Sequence, residues 1–315
     1  MSVLCIGEAL IDMICTDKGS SLSEGQNFLK KPGGAPTNVA AAIAALGGYV
    51  SLSAKVGDDP FGKQLVEVMK DFGVNTDHVH LDKDNFTTFA FVSLMLDGER
   101  DFVFNRGADA HLNKADIQKI DLNDFSIIHF GSATGFLEGS LKEAYYYLLK
   151  EAKKANKTIS FDPNYRHLLF GDKQDLFINC SQDFLKIADF TKLSDEEAIL
   201  ITRTKTLTEA TEALLKTCPG VFAITLGKDG TLLGFKGQTI TIGSIPIQAV
   251  DTTGAGDAFV GAILYQLDQL NKKPNDLLEE EWKNLVQNAN KAGARTCEFL
   301  GAMEAFKHLN NSIFN

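Results

Sequence analysis

Short apolar runs alternate with longer amphipathic stretches along most of the chain. Val3 to Gly7 carries almost no polar position and reads as a strand buried on both faces. The apolar run continues past Glu8 to Ile11, with Asp12 at its C-terminal end, and the whole of it reads as the first strand. PTNVAAAIAALG (36–47) opens on Pro-Thr-Asn and closes on Gly, which are helix start and stop signals. Tyr49 to Ala54 is a strand, and Pro60 to Phe72 a helix bounded by Asp58-Asp59 and Gly73. From residue 126 the alternation resumes. Strands are expected at 126–130, 158–162, 189–193 and 221–226, with helices near 139–155, 173–186 and 194–217. An antiparallel pair over 231–242, a helix after residue 257 and a helical region from about residue 276 complete the series. Strand–helix alternation of this kind implies an α/β fold with a mostly parallel sheet and helices on both faces.

One segment breaks the rhythm. TTFAFVSLML (87–96) and RDFVFNR (100–106) flank Asp97-Gly98, the signature of a β-hairpin turn. Alone it cannot bury a core. Paired with strand-forming parts of residues 13–31, an otherwise polar stretch, it would form a small sheet lying over the main domain as a lid.

Composition narrows the function. The chain has 315 residues, 44% of them hydrophobic, and a net charge of -10 with no long Lys/Arg run. Nucleic acid is therefore not an expected partner. No run of 18 apolar residues is present, so no membrane span is expected. Five scattered cysteines without a CxxC, and no basic leader before the first strand, point to reduced thiols in a cytoplasmic protein. The sequon Asn85-Phe86-Thr87 is read as chance, and the six histidines form no zinc pattern.

The chemistry concentrates in DTTGAGDAF (251–259). Gly254, Ala255 and Gly256 would leave backbone N–H groups bare at a helix start, which together with the helix dipole make an anion site. Asp257 is either a capping acid on that helix or a general base beside the anion site. KPGGAPTNVAAA (31–42) places Gly33 and Gly34 before a helix with Asn38 on its first turn. That arrangement permits close approach of a ligand, with Asn38 offering donor and acceptor. Asp12, at a strand end, would lie where open α/β sheets bind ligands and could accept hydroxyl protons from a polyol. No GxxxxGK[ST], GxGxxG or HRDxxxxN occurs, and Asp71-Phe72-Gly73 stands without the rest of the protein-kinase set, which argues against P-loop, dinucleotide-binding and protein-kinase sites.

The pair GGAPTNVA and DTTGAGDAF, in this order across the chain, resembles the ribokinase-like (PfkB) carbohydrate kinase family. IGEALIDM, DPNYRHLLF, KLSDEEA, TLGKDG and RGAD most resemble its bacterial and plant fructokinases. The resemblance implies one ribokinase-like domain over 1–315, a three-layer sandwich with a small β-sheet lid at roughly 13–31 and 87–106. It implies ATP and magnesium, with potassium as a further candidate, and a homodimer formed through the lid. It makes Asp257 the catalytic base, residues 254–256 the anion hole, and Asp12, Gly33, Gly34 and Asn38 the sugar contacts. One of Phe89, Phe102 and Phe104 would face the sugar, with Phe104 taken forward.

Arg166 and Arg106 are cationic candidates beside substrate, and a structural ion pair is the alternative for each. Lys192, Thr225, Gly227, Gly230 and Asn290 would line the nucleotide. Glu197 matches the Glu of the family's Asn-x-x-Glu motif, which assists magnesium. Ser194 replaces its Asn, and Ser194-x-x-Glu197 equally reads as a capping box. Asp251, Thr253 and the carbonyls of Thr296, Phe299 and Gly301 resemble a monovalent-cation loop. The implied reaction is phosphorylation of a sugar, fructose first. 2-Keto-3-deoxygluconate, ribose and a nucleoside are the rival substrates within the family, and a non-catalytic sugar-binding regulator is a rival outside catalysis.

Overall fold

A computed structural model of the chain describes residues 2–95 and 100–314. The first apolar run is two strands, not one. β1 (Val3–Ile6) ends before Gly7, whose φ of +145° only glycine adopts freely, and β2 (Leu10–Cys15) leaves in a new direction. Asp12 is therefore in the middle of β2 and not at the end of the first strand. The change of direction is marked in the sequence by Glu8, the one charged residue between the two runs.

After β3 (Phe28–Gly33) come α1 (Ala35–Ala45), β4 (Val50–Gly57), α2 (Pro60–Phe72) and β5 (Val79–Asp82). β6 (Thr88–Leu94) and β7 (Arg100–Asn105) pair antiparallel; the Asp97-Gly98 turn expected between them lies outside the described residues. α3 (Lys114–Ile117) leads to β8 (Ile127–Phe130), α4 (Ser140–Lys154) and β9 (Thr158–Phe161). Next follow α5 (His167–Phe170), α6 (Gln174–Leu185) and β10 (Phe190–Ser194). The helix expected over 194–217 is two, α7 (Asp195–Thr202) and α8 (Leu207–Thr217). Arg203 takes a left-handed φ of +56° and Thr206 starts a fresh capping box with Glu209, so the chain cannot continue as one helix. β11 (Val221–Thr225), β12 (Thr231–Phe235), β13 (Gln238–Ile242), α9 (Ala255–Leu270), α10 (Glu279–Thr296) and α11 (Ala302–Phe306) finish the chain.

The large sheet has the order β13-β12-β11-β10-β9-β8-β1-β4-β5, parallel from β11 to β5. Alternate residues of a strand face opposite sides, and β1 shows the consequence. Val3 and Cys5 pack with α1, α2, α9, α10 and α11, whereas Leu4 and Ile6 pack with α4, α6, α7 and α8. The two helix layers thus enclose one sheet in a three-layer α/β sandwich. The second sheet, β3-β2-β6-β7, stands apart from it. The C-terminal ends of β1, β8, β9, β10 and β11 open together on the edge nearest that small sheet, where the loops carrying the motifs meet. No helix among the described residues is long and apolar enough to cross a membrane, and the five cysteines are free thiols.

Candidate active site

α9 begins at Gly254, whose φ of +82° and tight contact with Ala302 exclude a side chain. No side chain caps this helix start, so its first N–H groups keep their capacity for an anion. Asp257 stands on the first turn but makes no capping bond. It is buried, and its Oδ2 accepts a hydrogen bond of 2.8 Å from Asn38 Nδ2. The capping alternative for Asp257 is thereby removed. Burial raises the Asp257 pKa, against which Asn38, Lys192 and Arg166 act. A carboxylate with raised proton affinity is a stronger base.

α1 brings Asn38 across from the other motif. Glycine at position 261 allows the two helices to touch, since a Cβ there would lie 2.8 Å from that of Ala42. Asn38 Oδ1 is buried with no hydrogen-bond donor among the described residues. Gly34, at φ +107°, lies directly on the Glu8 carbonyl, and Gly33 directly on the Asp12 carboxylate. Neither position has room for a Cβ.

In the small sheet Lys31, Asp12, Ala90 and Phe104 stand side by side across four strands, and so share one face. Phe102 stacks on Phe104 on that face, with centroids 6.2 Å apart. Phe89, one residue out of step with Ala90, is on the opposite face and packs edge-on to Phe61 of α2 at 4.9 Å. That placement removes Phe89 from the sugar candidates. Burial pushes the Asp12 carboxyl up to about 7, with Arg166 opposing and Glu8 adding to the rise.

Glu8 is the residue sequence reasoning missed. It is 1% exposed and accepts from Ala35 N (3.1 Å), Ala133 N (3.4 Å), Thr134 Oγ1 (3.4 Å) and Ser132 Oγ. It ties β1, the glycine loop and the loop after β8 into one block. The acid between two apolar runs was its only trace in the sequence.

On the opposite wall, Lys192 of β10 forms an ion pair with Asp162, at 3.2 Å. Its Nζ reaches the glycine turn: a Cβ on Gly256 would lie 3.1 Å from it. Burial disfavours the ammonium, yet Asp162, Glu197 and Asp257 together keep its pKa above the ordinary value. Arg166 donates to the Tyr165 carbonyl (3.1 Å) and acts electrostatically on both Asp12 and Asp257.

Arg106 is differently placed. Nε binds Asp109 at 3.2 Å, Nη1 the Glu138 carbonyl at 2.9 Å and Nη2 the Thr134 carbonyl at 3.4 Å. Its guanidinium braces the foot of β7 against the main domain, which is the structural alternative raised from sequence. Glu197 completes the capping box with Ser194, its Oε2 accepting from Ser194 N at 2.8 Å, while Oε1 accepts from Tyr165 N at 2.7 Å.

The nucleotide-side candidates follow β10 and β11. Thr225 pairs with Ser194 and donates to the Leu193 carbonyl at 3.3 Å. Gly227 and Gly230 have φ of +58° and +97°, and Gly230 lies directly on the Ile242 carbonyl. Asn290 accepts from Thr231 (2.6 Å) and donates to the Ile242 (3.0 Å) and Gly243 (3.1 Å) carbonyls, so its amide is engaged in anchoring β12 and β13 to α10. Asp251 accepts from Thr253 N and Oγ1 at 2.9 and 2.7 Å and from Gly301 N at 2.8 Å, joining the 251–253 turn to the loop after Thr296. No cluster of three metal-binding side chains occurs among the described residues.

The chain is similar to known proteins over nearly its whole length. Residues 1–308 match the pfkB family carbohydrate kinase family. The chain is 36% identical over 310 residues to probable fructokinase-2 of Arabidopsis thaliana, covering 96% of this chain and 92% of that one. It superposes on the fructokinase of Xylella fastidiosa with bound ATP at a TM-score of 0.87 and 29% identity, covering 99% and 96% of the two chains. It also superposes on the Vibrio cholerae fructokinase holding fructose, ADP and a calcium ion, at a TM-score of 0.84 and 29% identity over 100% and 98%. With an uncapped glycine helix start, a buried aspartate on its first turn and a match over nearly its whole length, the chain belongs to the pfkB family of carbohydrate kinases and is an ATP-dependent sugar kinase.

Proposed function

We propose that the protein is a fructokinase, converting D-fructose and ATP to D-fructose 6-phosphate and ADP, with Asp257 as the general base. The observation that carries the roles is the buried Asp257 carboxylate, engaged by Asn38 and free of any capping bond, at the bare start of α9. The sugar's primary hydroxyl gives its proton to Asp257 as its oxygen bonds to the γ-phosphorus. The bond from that phosphorus to the bridging oxygen breaks, and ADP leaves with the electron pair. The N–H groups around Gly254, Ala255 and Gly256, with Lys192 and Arg166, stabilise the charge on the transferring group.

Asp12, Gly33, Gly34 and Asn38 hold the sugar, and the Phe102–Phe104 face of the small sheet covers it and excludes water. Arg106 secures that sheet from below. Thr225, Gly227 and Gly230 line the nucleotide, with Asn290 shaping the hairpin beneath it. Magnesium brought in with ATP supplies charge neutralisation across the phosphates. That ion usually keeps waters and substrate phosphates as ligands, which fits carboxylates already bound to amides, and Glu197 is the acid assigned to its water shell. The loop of Asp251, Thr253, Thr296 and Gly301 is the candidate for potassium. Free cysteines throughout support a reducing compartment, the cytoplasm. Exposed Ile14, Leu29 and Leu94 extend the Asp12 face outward and support pairing of two lids in a homodimer.

The test is ADP release with Mg-ATP against fructose, ribose, 2-keto-3-deoxygluconate, glucose, tagatose and inosine, with and without potassium. A clear preference for fructose is expected. Preference for another sugar overturns the fructose assignment and leaves the kinase; silence across the panel overturns the role given to Asp257.

A further inference from the structure

The Lys192 side chain is 9% exposed and that of Asp162 is fully buried. An ammonium so enclosed ordinarily spends its three donors on acceptors. Here Nζ has the ion pair to Asp162 Oδ2 at 3.2 Å, an oxygen with no other donor among the described residues, while Asp162 Oδ1 accepts from Asn164 N at 3.2 Å. The neighbouring carboxylates hold it no more closely. Glu197 is occupied by the amides of Tyr165 and Ser194, and Asp257 by Asn38. Below the pair, His129 of β8 is buried, bonded to Ser160 of β9 at 3.0 Å, and neutral because burial lowers its pKa to about 3. Nζ thus stands at Gly256 with Asp162 as its ion-pair partner among the described residues and N–H bonds to spare, while Glu197 and Asp257 add charge from farther off.

We infer that Asp162 is a positioning residue for phosphoryl transfer: its buried carboxylate holds the Lys192 ammonium against the glycine turn, leaving its N–H bonds for the transferring phosphoryl group. The inference rests on the reading of Lys192 as a phosphate contact. Asp162 belongs to DPNYR, the stretch that drew attention for Arg166, and itself touches no substrate. Its Oδ1 also accepts from Asn164 N at 3.2 Å, a bond that Asp162→Asn can keep while it removes the charge facing Lys192.

Steady-state kinetics of the full chain with Mg-ATP and fructose, on Asp162→Asn, Lys192→Met and the double variant, separate these roles. Each single variant is expected to lose kcat by about 10²-fold, the usual effect of removing one transition-state donor. The double variant is expected to be no slower than Lys192→Met, because residues acting as a unit are not additive. The fructose KM stays within about twofold in all three, which general damage to the site would not allow. The double variant, which buries no unpaired charge, should melt above either single one.

Normal kcat in Asp162→Asn beside a slow Lys192→Met overturns the inference and leaves the phosphate reading intact. Losses that multiply in the double variant also overturn it. Normal kcat and ATP KM in Lys192→Met overturn the phosphate reading and the inference with it. If Asp162→Asn does not fold, Asp162→Ser carries the same comparison.

Discussion

Three buried carboxylates near the glycine turn do three different things, and their partners decide which. Glu197 accepts two backbone amides, Asp162 faces an ammonium, and Asp257 receives one side-chain amide with nothing capping α9. Burial raises the proton affinity of both Asp162 and Asp257, but Asp162 is paired with Lys192, whereas Asp257 stands on the first turn of the uncapped α9 with one oxygen left for a hydroxyl proton. Asp257→Asn should lower kcat by about 10²–10⁴-fold, the contribution of a general base, with little change in the fructose KM. Full activity in that variant would remove Asp257 from the chemistry.

Asp12 yields a second, pH-dependent expectation. Burial first, then Glu8, raises its pKa from an ordinary 3.8 to about 7, against the pull of Arg166. The fold therefore favours the neutral form. Its stabilising contribution is complete below about pH 3.8 and is lost as pH rises through about 7. Asp12→Asn should melt at a higher temperature than the parent at about pH 8, with the gain shrinking toward pH 4, while its fructose KM rises. A melting difference independent of pH would refute the burial argument.

At the scale of elements, the site depends on α1 and α9 lying close enough for Asn38 to reach Asp257. Gly261 and Ala42 set that distance. Gly261→Val would force the helices apart at a cost of about 1–3 kcal/mol. It should also lengthen the Asn38–Asp257 contact, so kcat falls together with the melting temperature; an unchanged kcat in a destabilised protein would show that the spacing has slack. Both helices were legible in the sequence because Pro-Thr-Asn, the Ala run and the glycine turn are local signals. The break between α7 and α8 was also written there, as the polar run Thr202-Arg203-Thr204-Lys205 before the cap Thr206-x-x-Glu209, but the apolar residues on either side of it were read as one helix. Asp12 was misplaced for a different reason. Two buried strands in succession look like one long strand until Gly7 is seen to turn.

Over the whole molecule, two sheets meet at one edge, and the residues proposed for catalysis and sugar binding come from both. Asp12 and the stacked phenylalanines belong to the small sheet, whereas Asp257 is on the first turn of α9, Lys192 in β10 and Arg166 at the start of α5, around the large one. If two lids pair, Leu29→Glu should place a charge in that apolar contact and yield a monomer in sedimentation; a dimer that persists would locate the contact elsewhere. The sequence by itself determined the parallel sheet with helices on both faces, most helices and strands, the glycine turn at a helix start and the family. Periodicity, caps and glycines act within a few residues, and their effects need no distant partner. Tertiary structure alone decided that Asp257 is engaged by Asn38, 219 positions away, and that Phe89 faces α2 while Phe104 shares a face with Asp12. It also decided that Arg106 and Asn290 are braces, and that Glu8 and Asp162 are buried at the centre of the site. Those outcomes depend on strand register and on which charges lose water together, and neither is set until distant segments pack.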